Sequence, residues 1–260
     1  MKLDLYQVDA FTYKLFRGNP AAVCPLDKWL DEEVMQNIAA ENNLSETAFF
    51  VKENDTFRIR WFTPEAEVDL CGHATLASAH VLFNHLDFQN DTIAFQSNSG
   101  GLSVHQDRDY LVLNFPADNL ESTNLPEQLS SAFNFQPADS YKGRSDYLVL
   151  FENQRQIQEL LPDFQKIKAS GARGVVVTAP GTDVDFVSRF FAPAVGIDED
   201  PVTGSAHTTL TPFWAERLGK TEMTAKQISK RQGYLKCTLL GDRVEIAGQA
   251  VTYLIGKIDV

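Results

Sequence analysis

A single carboxyl group stands at the beginning of an apolar, strand-like segment. Residues 47–51 (Thr-Ala-Phe-Phe-Val) are typical of a β-strand, in which Glu46 shares a face with Ala48 and Phe50. A carboxyl group beside apolar side chains keeps its proton to higher pH and can exchange it near neutrality. Glu46 is therefore a candidate acid–base group. Because an isolated strand-end glutamate is commonly solvated, its position alone does not select it.

Two further titratable side chains lie beside predicted helix starts. His73 follows Gly72, where the first helix is predicted to begin. Asp200 precedes Gly204, where a second helix is predicted to begin and to continue to about Gly219. Such groups can orient or relay a proton. The structural alternatives are a capping or packing histidine and a solvated loop acid.

The helix starts themselves predict an anion site. Unpaired N–H groups and the positive end of the helix dipole lie there, and Gly72 and Gly204 leave the backbone open to a ligand. A carboxylate substrate or an enolate-like intermediate fits such a site. Alternatively, each glycine only permits close packing, and Ser205 is only a helix-start residue.

An internal duplication connects these features. Residues 60–64 (Arg-Trp-Phe-Thr-Pro) and 189–193 (Arg-Phe-Phe-Ala-Pro) share a pattern. An acidic loop follows each copy, and then Gly-His-Ala or Gly-Ser-Ala opens an apolar helix. A helix without a polar face belongs inside a domain. We therefore expect two similar domains, each around one helix, with the helix starts facing a shared cleft.

Composition excludes several classes of protein. The net charge of −12 disfavours nucleic acid and anionic lipid as partners. Apolar runs fall short of the roughly 20 residues that span a bilayer, so we expect a cytoplasmic protein. The three cysteines have no spacing typical of disulfides or zinc, and the usual serine-hydrolase, nucleotide and dinucleotide motifs are absent. We expect neither a metal nor an organic cofactor.

Four segments together resemble the PhzF (phenazine biosynthesis-like) isomerase family: residues 18–23, 44–49, 71–75 and 199–207. That family is similar in fold to diaminopimelate epimerase. The resemblance implies an α+β protein of two duplicated epimerase-like domains, each a mostly antiparallel barrel-like sheet around a central helix. It places the first domain at 1–116 plus 250–260 and the second at 117–249.

The resemblance also implies roles for individual residues. Glu46 matches the family's general acid–base group, with His73 and Asp200 as its polar catalytic partners. The substrate-binding residues would be Asn19, Cys71, Gly72, Gly204 and Ser205. The implied reaction moves a carbon-bound proton within a small cyclic or conjugated carboxylic acid, as in the isomerisation of a dihydro-hydroxyanthranilate. A homodimer is expected on the same grounds.

Two alternatives remain open from the residues. Related epimerases use two facing cysteines, and Cys71 falls at about the first of those positions, whereas Thr203 aligns with it in the second copy. A thiol-based epimerase would then pair Cys71 with Glu46 or Asp200. The other alternative is a non-catalytic protein that binds a small molecule.

Overall fold

The structure of the protein is a computed structural model that describes residues 1–260. Eighteen strands are present: β1 (Lys2–Ala10), β2 (Asn19–Leu26), β3 (Glu46–Glu53), β4 (Thr56–Phe62), β5 (Glu67–Val68), β6 (Thr92–Ser97), β7 (Gly100–Asp107), β8 (Tyr110–Pro116), β9 (Glu121–Ser122), β10 (Asp139–Lys142), β11 (Tyr147–Leu150), β12 (Val175–Pro180), β13 (Phe186–Ala192), β14 (Ile197–Asp200), β15 (Glu222–Gln227), β16 (Gly233–Leu240), β17 (Arg243–Gly248) and β18 (Ala250–Asp259). The α-helices are α1 (Glu32–Asn42), α2 (Gly72–His85), α3 (Glu127–Ser130), α4 (Gln154–Gln158), α5 (Phe164–Ala169) and α6 (Gly204–Leu218). None of these helices combines the length and apolar composition needed to cross a membrane.

The chain divides into two units. The first consists of Met1–Phe115 and Ala247–Val260, and the second of Pro116–Ile246. The first boundary lies one residue before the predicted one and the second boundary three residues before it. In the first unit β18 pairs with β1 along its length, so the end of the chain completes the sheet in which the chain begins.

Helix α2 is the central element of the first unit. Nine of its residues are buried, and they lie on every side of the helix. Strands β1, β2, β3, β7 and β18 pack against it. An apolar helix can be enclosed this way because each strand alternates, with one set of side chains facing the helix.

Helix α6 has the same character in the second unit. Nine of its residues are buried, and β15 and β16 are among the strands that pack on it. Gly219 ends the helix in the left-handed conformation, with φ of 65°, and its N–H bonds to Ala215 O. Both helices begin at the glycines that the sequence predicts, and α6 ends where Gly219 indicates.

Strand pairing shows the duplication in detail. Within the first unit β2–β3 and β4–β6 are parallel, and within the second β11–β12 and β13–β15 are parallel. The strand pairs that connect them, β3–β4 in the first unit and β12–β13 in the second, are antiparallel. The prediction of mostly antiparallel sheets holds, and the four parallel contacts occupy matching places in the two units.

An ion pair is repeated at the same point of each unit. Arg60 Nε donates to Glu67 Oε1 over 2.7 Å, and Arg189 Nε donates to Glu199 Oε1 over 2.7 Å. Each guanidinium also lies over the aromatic ring two residues further along its strand, 5.1 Å and 5.0 Å from the ring centre. The acidic loop after each Arg-aromatic-Phe segment is thus held against its own strand.

The duplicated helices predict matched effects on stability. Leu76→Ala and Leu210→Ala each remove a fully buried side chain at the centre of one unit. Each variant is expected to lose about 2–5 kcal/mol of unfolding free energy, because the enclosing sheet cannot close the cavity fully. Leu86→Ala and Leu218→Ala are the controls. Both leucines lie at helix ends and are 41% exposed, so these substitutions are expected to change the unfolding free energy little. Denaturant unfolding measures all four; equal losses in controls and core variants would contradict central burial of these helices.

Candidate active site

Glu46 is positioned by the end of α1. Asn43 follows that helix in the left-handed conformation, with φ of 48°, and its N–H bonds to Ala39 O. Asparagine accepts this conformation more readily than most residues. The chain then turns, and β3 begins at Glu46, which pairs in parallel register with Ala21 of β2. The Glu46 side chain is only 12% exposed.

His73 is positioned by the first turn of α2. Cys71 is the extended residue before the helix, and its carbonyl oxygen accepts from Thr75 N–H and, at 2.6 Å, from Thr75 Oγ1. Gly72 is the first helical residue, and it leaves the backbone of that turn without a side chain. His73 is the second residue of the same turn, and it is buried. The first turn of α2 is therefore fixed by its own backbone partners.

Glu46 and His73 form a buried pair. Glu46 Oε2 lies 3.1 Å from His73 Nε2, and the two side chains are 12% and 6% exposed. The contact is close, but neither atom has a hydrogen bond of good alignment. A carboxylate oxygen and an imidazole nitrogen thus retain bonding capacity in a nearly dry position, which is unusual because buried polar atoms normally have partners.

The other nitrogen of His73 faces an amide. Asn19 Nδ2 is 3.2 Å from His73 Nδ1, and Asn19 Oδ1 accepts from Ser45 Oγ at 3.2 Å. Gly18 makes this placement possible: its φ is 66°, and a Cβ there would lie 2.1 Å from Ala10 O. Asn19 itself is fully buried. It was predicted to bind substrate, and the structure places it beside His73, where it orients the ring.

The Asn19 amide suits two charge states of the ring. With Nδ2 toward Nδ1, it donates to a neutral imidazole whose proton is on Nε2, facing Glu46. After a half-turn, its oxygen accepts from the Nδ1–H of an imidazolium, and its NH₂ donates to Ser45 Oγ. The serine hydroxyl serves either arrangement because it can both donate and accept. His73 can therefore gain or lose a proton without leaving Nδ1 unpaired.

Charges in this site are set by burial and by close neighbours. Burial alone would lower the pKa of His73, but the neighbouring Glu46 carboxylate raises it above 6.5; the charge of Cys71 adds to this effect only when the thiol is ionised. Burial, reinforced by the Glu46 charge, raises the pKa of the Cys71 thiol to about 11. At neutral pH the Cys71 thiol is therefore un-ionised, with its Sγ 3.5 Å from His73 Nδ1, and the Glu46 charge favours the imidazolium form of the ring.

In the second unit, a different set of side chains occupies the start of α6. Asp200 is buried and accepts a hydrogen bond from Thr203 Oγ1. Gln227 links them: its Nε2 donates to Asp200 O over 2.7 Å, and its Oε1 accepts from Thr203 N over 2.8 Å. Gly204 is buried and Ser205 is exposed. Thr203 occupies the same place before α6 that Cys71 has before α2.

The structure thus gathers the predicted residues into two groups. Asn19, Glu46, Cys71, Gly72 and His73 meet in the first unit, and Asp200, Gly204 and Ser205 lie together in the second. The catalytic and binding roles assigned to them remain predictions.

The sequence alone did not single out two residues of these groups, although each has a feature that could have identified it. Ser45 adjoins Glu46 within the quoted segment 44–49. Gln227 lies on the same buried face of β15 as Met223 and Ala225, so it is a polar residue at a position where apolar residues are usual.

Comparison with known structures defines the class of protein first. A hydroxyproline epimerase from Agrobacterium vitis superposes with a TM-score of 0.64 over 99% of this chain and 92% of that one, at 10% identity, which shows a shared epimerase-like fold. A PhzF-family protein of Enterococcus faecalis superposes with a TM-score of 0.98, at 46% identity over all of both chains.

The sequence comparisons then give the family. Residues 8–256 match the model of the phenazine biosynthesis-like proteins, and the chain belongs to this family. It is 51% identical over 258 residues, 99% of both chains, to a protein of Pseudomonas aeruginosa described as an uncharacterized isomerase. The resemblance drawn from the four motifs is confirmed, as is the α+β fold of two epimerase-like domains.

A buried histidine of α6 gives a pH-dependent prediction. His207 is fully buried, its Nδ1 contacts Thr203 O at 2.8 Å, and burial lowers its pKa to about 4. The unfolded chain binds this proton near pH 6.5 and the folded chain only near pH 4, so stability falls as the pH drops through that window. The loss due to His207 is expected to reach about 3 kcal/mol. Denaturant unfolding of the wild type and His207→Gln between pH 7 and 4 measures it; parallel curves would show that His207 is protonated in the fold as easily as in the unfolded chain.

Proposed function

We propose that this protein is a cofactor-independent isomerase that moves a carbon-bound proton within a small cyclic or conjugated carboxylic acid, with Glu46 as the base. The observation that carries the proposal is the Glu46–His73 pair. A buried carboxylate oxygen lies 3.1 Å from an imidazole nitrogen and has no aligned hydrogen bond of its own. Such a group is shielded from water and free to take a proton from a substrate.

The charge state of the pair supports this assignment. Because the Glu46 charge raises the pKa of His73, the imidazolium form of the ring is favoured, and this form stabilises the neighbouring carboxylate. The carboxylate can then abstract a proton, and the imidazolium can hold the acid form of Glu46 in place by a reorganised hydrogen bond. The Asn19 amide accommodates either charge state of the ring.

The proposed step is balanced within the substrate. Glu46 removes a proton from one carbon, and the electron pair of that C–H bond enters the conjugated system. Glu46 then returns the proton to another carbon, so that nothing is oxidised, reduced or released. The intermediate is an anion. His73 belongs to the first turn of α2, and a helix start stabilises a negative charge by about 0.3–1 kcal/mol when exposed and about 2 kcal/mol when partly buried.

The comparisons support an isomerase in general terms. A relative with half of its residues identical is described as an isomerase, and the family model covers nearly the whole chain. The substrate class is our inference from the site: its polar groups are an imidazolium and backbone N–H groups, which suit a carboxylate and an enolate-like anion.

A thiol-based epimerase fits the site less well. The Cys71 thiol has a pKa of about 11, raised mainly by burial, so little thiolate exists at neutral pH to act as a base. In addition, Thr203 occupies the matching position before α6, and a hydroxyl is a far weaker acid–base group than a thiol.

Replacement of Glu46 tests the proposal directly. Glu46→Gln keeps the size and polarity of the side chain but removes the base, so turnover should fall by about 10²–10⁴-fold while ligand affinity changes little. The measurement is deuterium incorporation at carbon, by NMR or mass spectrometry, during incubation of a dihydro-hydroxyanthranilate and a panel of small cyclic and conjugated acids in deuterated water.

Cys71→Ala is the matched comparison, expected to lose at most about tenfold because its thiol is un-ionised at neutral pH and takes no proton in the proposed step. If Cys71→Ala abolished exchange while Glu46→Gln remained active, the protein would be a thiol-based epimerase. Acids that bind tightly to the wild type without any exchange would instead indicate a binding protein.

Asp200 gives a separate prediction. We propose that it serves the same reaction as Glu46, as the family pattern implies. Asp200→Asn should then lower turnover, and the double variant with Glu46→Gln should lose much less than the product of the two single losses, because residues acting as a unit are not additive. Asp198→Asn, in the same strand and exposed, is the control. Multiplicative losses would show that Asp200 acts independently of Glu46.

A further inference from the structure

Three chemically different metal ligands come together in the first unit. Single ligand atoms of Glu46, Cys71 and His73 lie within 4.8 Å of one another. A carboxylate, a thiol and an imidazole are the three side-chain groups that zinc binds. The sequence spacing did not indicate this set, since Glu46 is 25 residues from Cys71 and reaches it only through the fold.

The distances are close to those of a zinc site. Ligand atoms at about 2.0–2.3 Å from a tetrahedral zinc ion lie roughly 3.3–3.8 Å from one another. Glu46 Oε2 and His73 Nε2 are already 3.1 Å apart, and Cys71 offers its Sγ within the 4.8 Å that encloses one ligand atom of each residue. Sγ now contacts the ring at Nδ1, over 3.5 Å, so the thiol must turn toward Nε2 to become the third ligand, with a fourth position open to water.

The two atoms that face each other have no partner except one another. Glu46 Oε2 and His73 Nε2 are buried and 3.1 Å apart without an aligned hydrogen bond, so a metal ion would replace this one contact by a bond to each atom. The far nitrogen, Nδ1, has the Asn19 amide beside it at 3.2 Å. Turned so that its oxygen accepts from Nδ1–H, this amide would hold the ring as outer partners of zinc-bound histidines do.

The charges balance as well. The start of α2 disfavours a bare cation. A thiolate and a carboxylate together supply two negative charges, which neutralise Zn²⁺ and leave a site of no net charge. Binding forms the zinc–sulfur bond and releases the thiol proton of Cys71 and the extra proton of His73 to solvent; no group is oxidised or reduced.

We propose that the first unit binds one Zn²⁺ ion through Glu46, Cys71 and His73, and that this ion inhibits the enzyme. Binding follows from the three ligands alone. Inhibition rests on the proposed function, because the ion occupies the carboxylate oxygen that would take the substrate's proton. Zinc is thus an inhibitor here, and the prediction that turnover needs no metal is unchanged.

Cobalt is the probe for the site. Titration of metal-free protein with Co²⁺ is expected to give one equivalent of binding and a thiolate-to-cobalt charge-transfer absorption, both removed by competing Zn²⁺. Cys71→Ala should abolish the absorption, whereas Cys24→Ala, which replaces another buried thiol that packs in an apolar cluster with Met35 and Phe49, should retain it. The absence of stoichiometric binding, or an absorption that persists in Cys71→Ala, would refute the site.

A second variant keeps the test valid if Cys71→Ala is unstable. Glu46→Gln preserves the thiol and should retain the absorption but bind Zn²⁺ at least about tenfold more weakly, the scale produced even by changes to outer partners of a metal site. Circular dichroism establishes that each variant is folded. Equal zinc affinity in Glu46→Gln and the wild type would also refute the proposed ligand set.

Deuterium exchange then separates this proposal from the proposed function. Zinc binding together with loss of exchange in the wild type supports both. Stoichiometric binding with unimpaired exchange supports the metal site and contradicts both the inhibition and the role of Glu46 as base. Exchange that proceeds in a protein without zinc affinity supports the isomerase and refutes the metal site.

Discussion

Helix α2 has no side that it can present to water, and this constraint organises the first unit. Its buried residues lie all round its axis, so strands must cover it from several directions, including β18 from the far end of the chain. Enclosure fixes the helix lengthwise as well as sideways. Its first turn, with Cys71, Gly72 and His73, is consequently held still beside the first residue of β3. A mobile helix could not keep a carboxylate and an imidazole 3.1 Å apart.

The duplicated scaffold carries different chemistry in its two copies. The register of β3 with β4 pairs Thr47 with Phe62, and the register of β12 with β13 pairs Val175 with Phe191. Gly174 of the second unit therefore stands where the first unit has Glu46. The helix starts differ too, with a serine in place of the histidine. The ion pair between the strand arginine and the loop glutamate, in contrast, is present in both copies, as Arg60–Glu67 and Arg189–Glu199. This pair stabilises the loop, and its role does not depend on the chemistry of the site.

Burial explains why the polar groups of the first unit form a connected set. A charged group removed from water is costly unless a partner compensates it, and here the partners are a carboxylate, an amide and a thiol around one ring. Asn19 is the adaptable member, since its two ends are a donor and an acceptor and its neighbour Ser45 can bond to either. The set can thus change its protonation while the core around it keeps its packing.

How far the sequence determines the protein depends on the range of the interaction. The starts of α2 and α6, the end of α6 at Gly219 and the repeated Arg-aromatic-Phe segments follow from local patterns, because apolar periodicity and glycine conformations act over a few residues. Glu46, His73 and Asp200 were named from residue type and neighbouring motif.

Gln227 was missed, because its strand, β15, has only two apolar residues, and only the packing of that strand shows that its alternate side chains are buried. Only the tertiary structure decided that Asn19 supports the His73 ring, that Cys71 is an un-ionised thiol, and that Glu46 reaches both. The physical reason is that proximity between residues distant in the chain, and the loss of water that accompanies it, arise when the sheet closes round its helix.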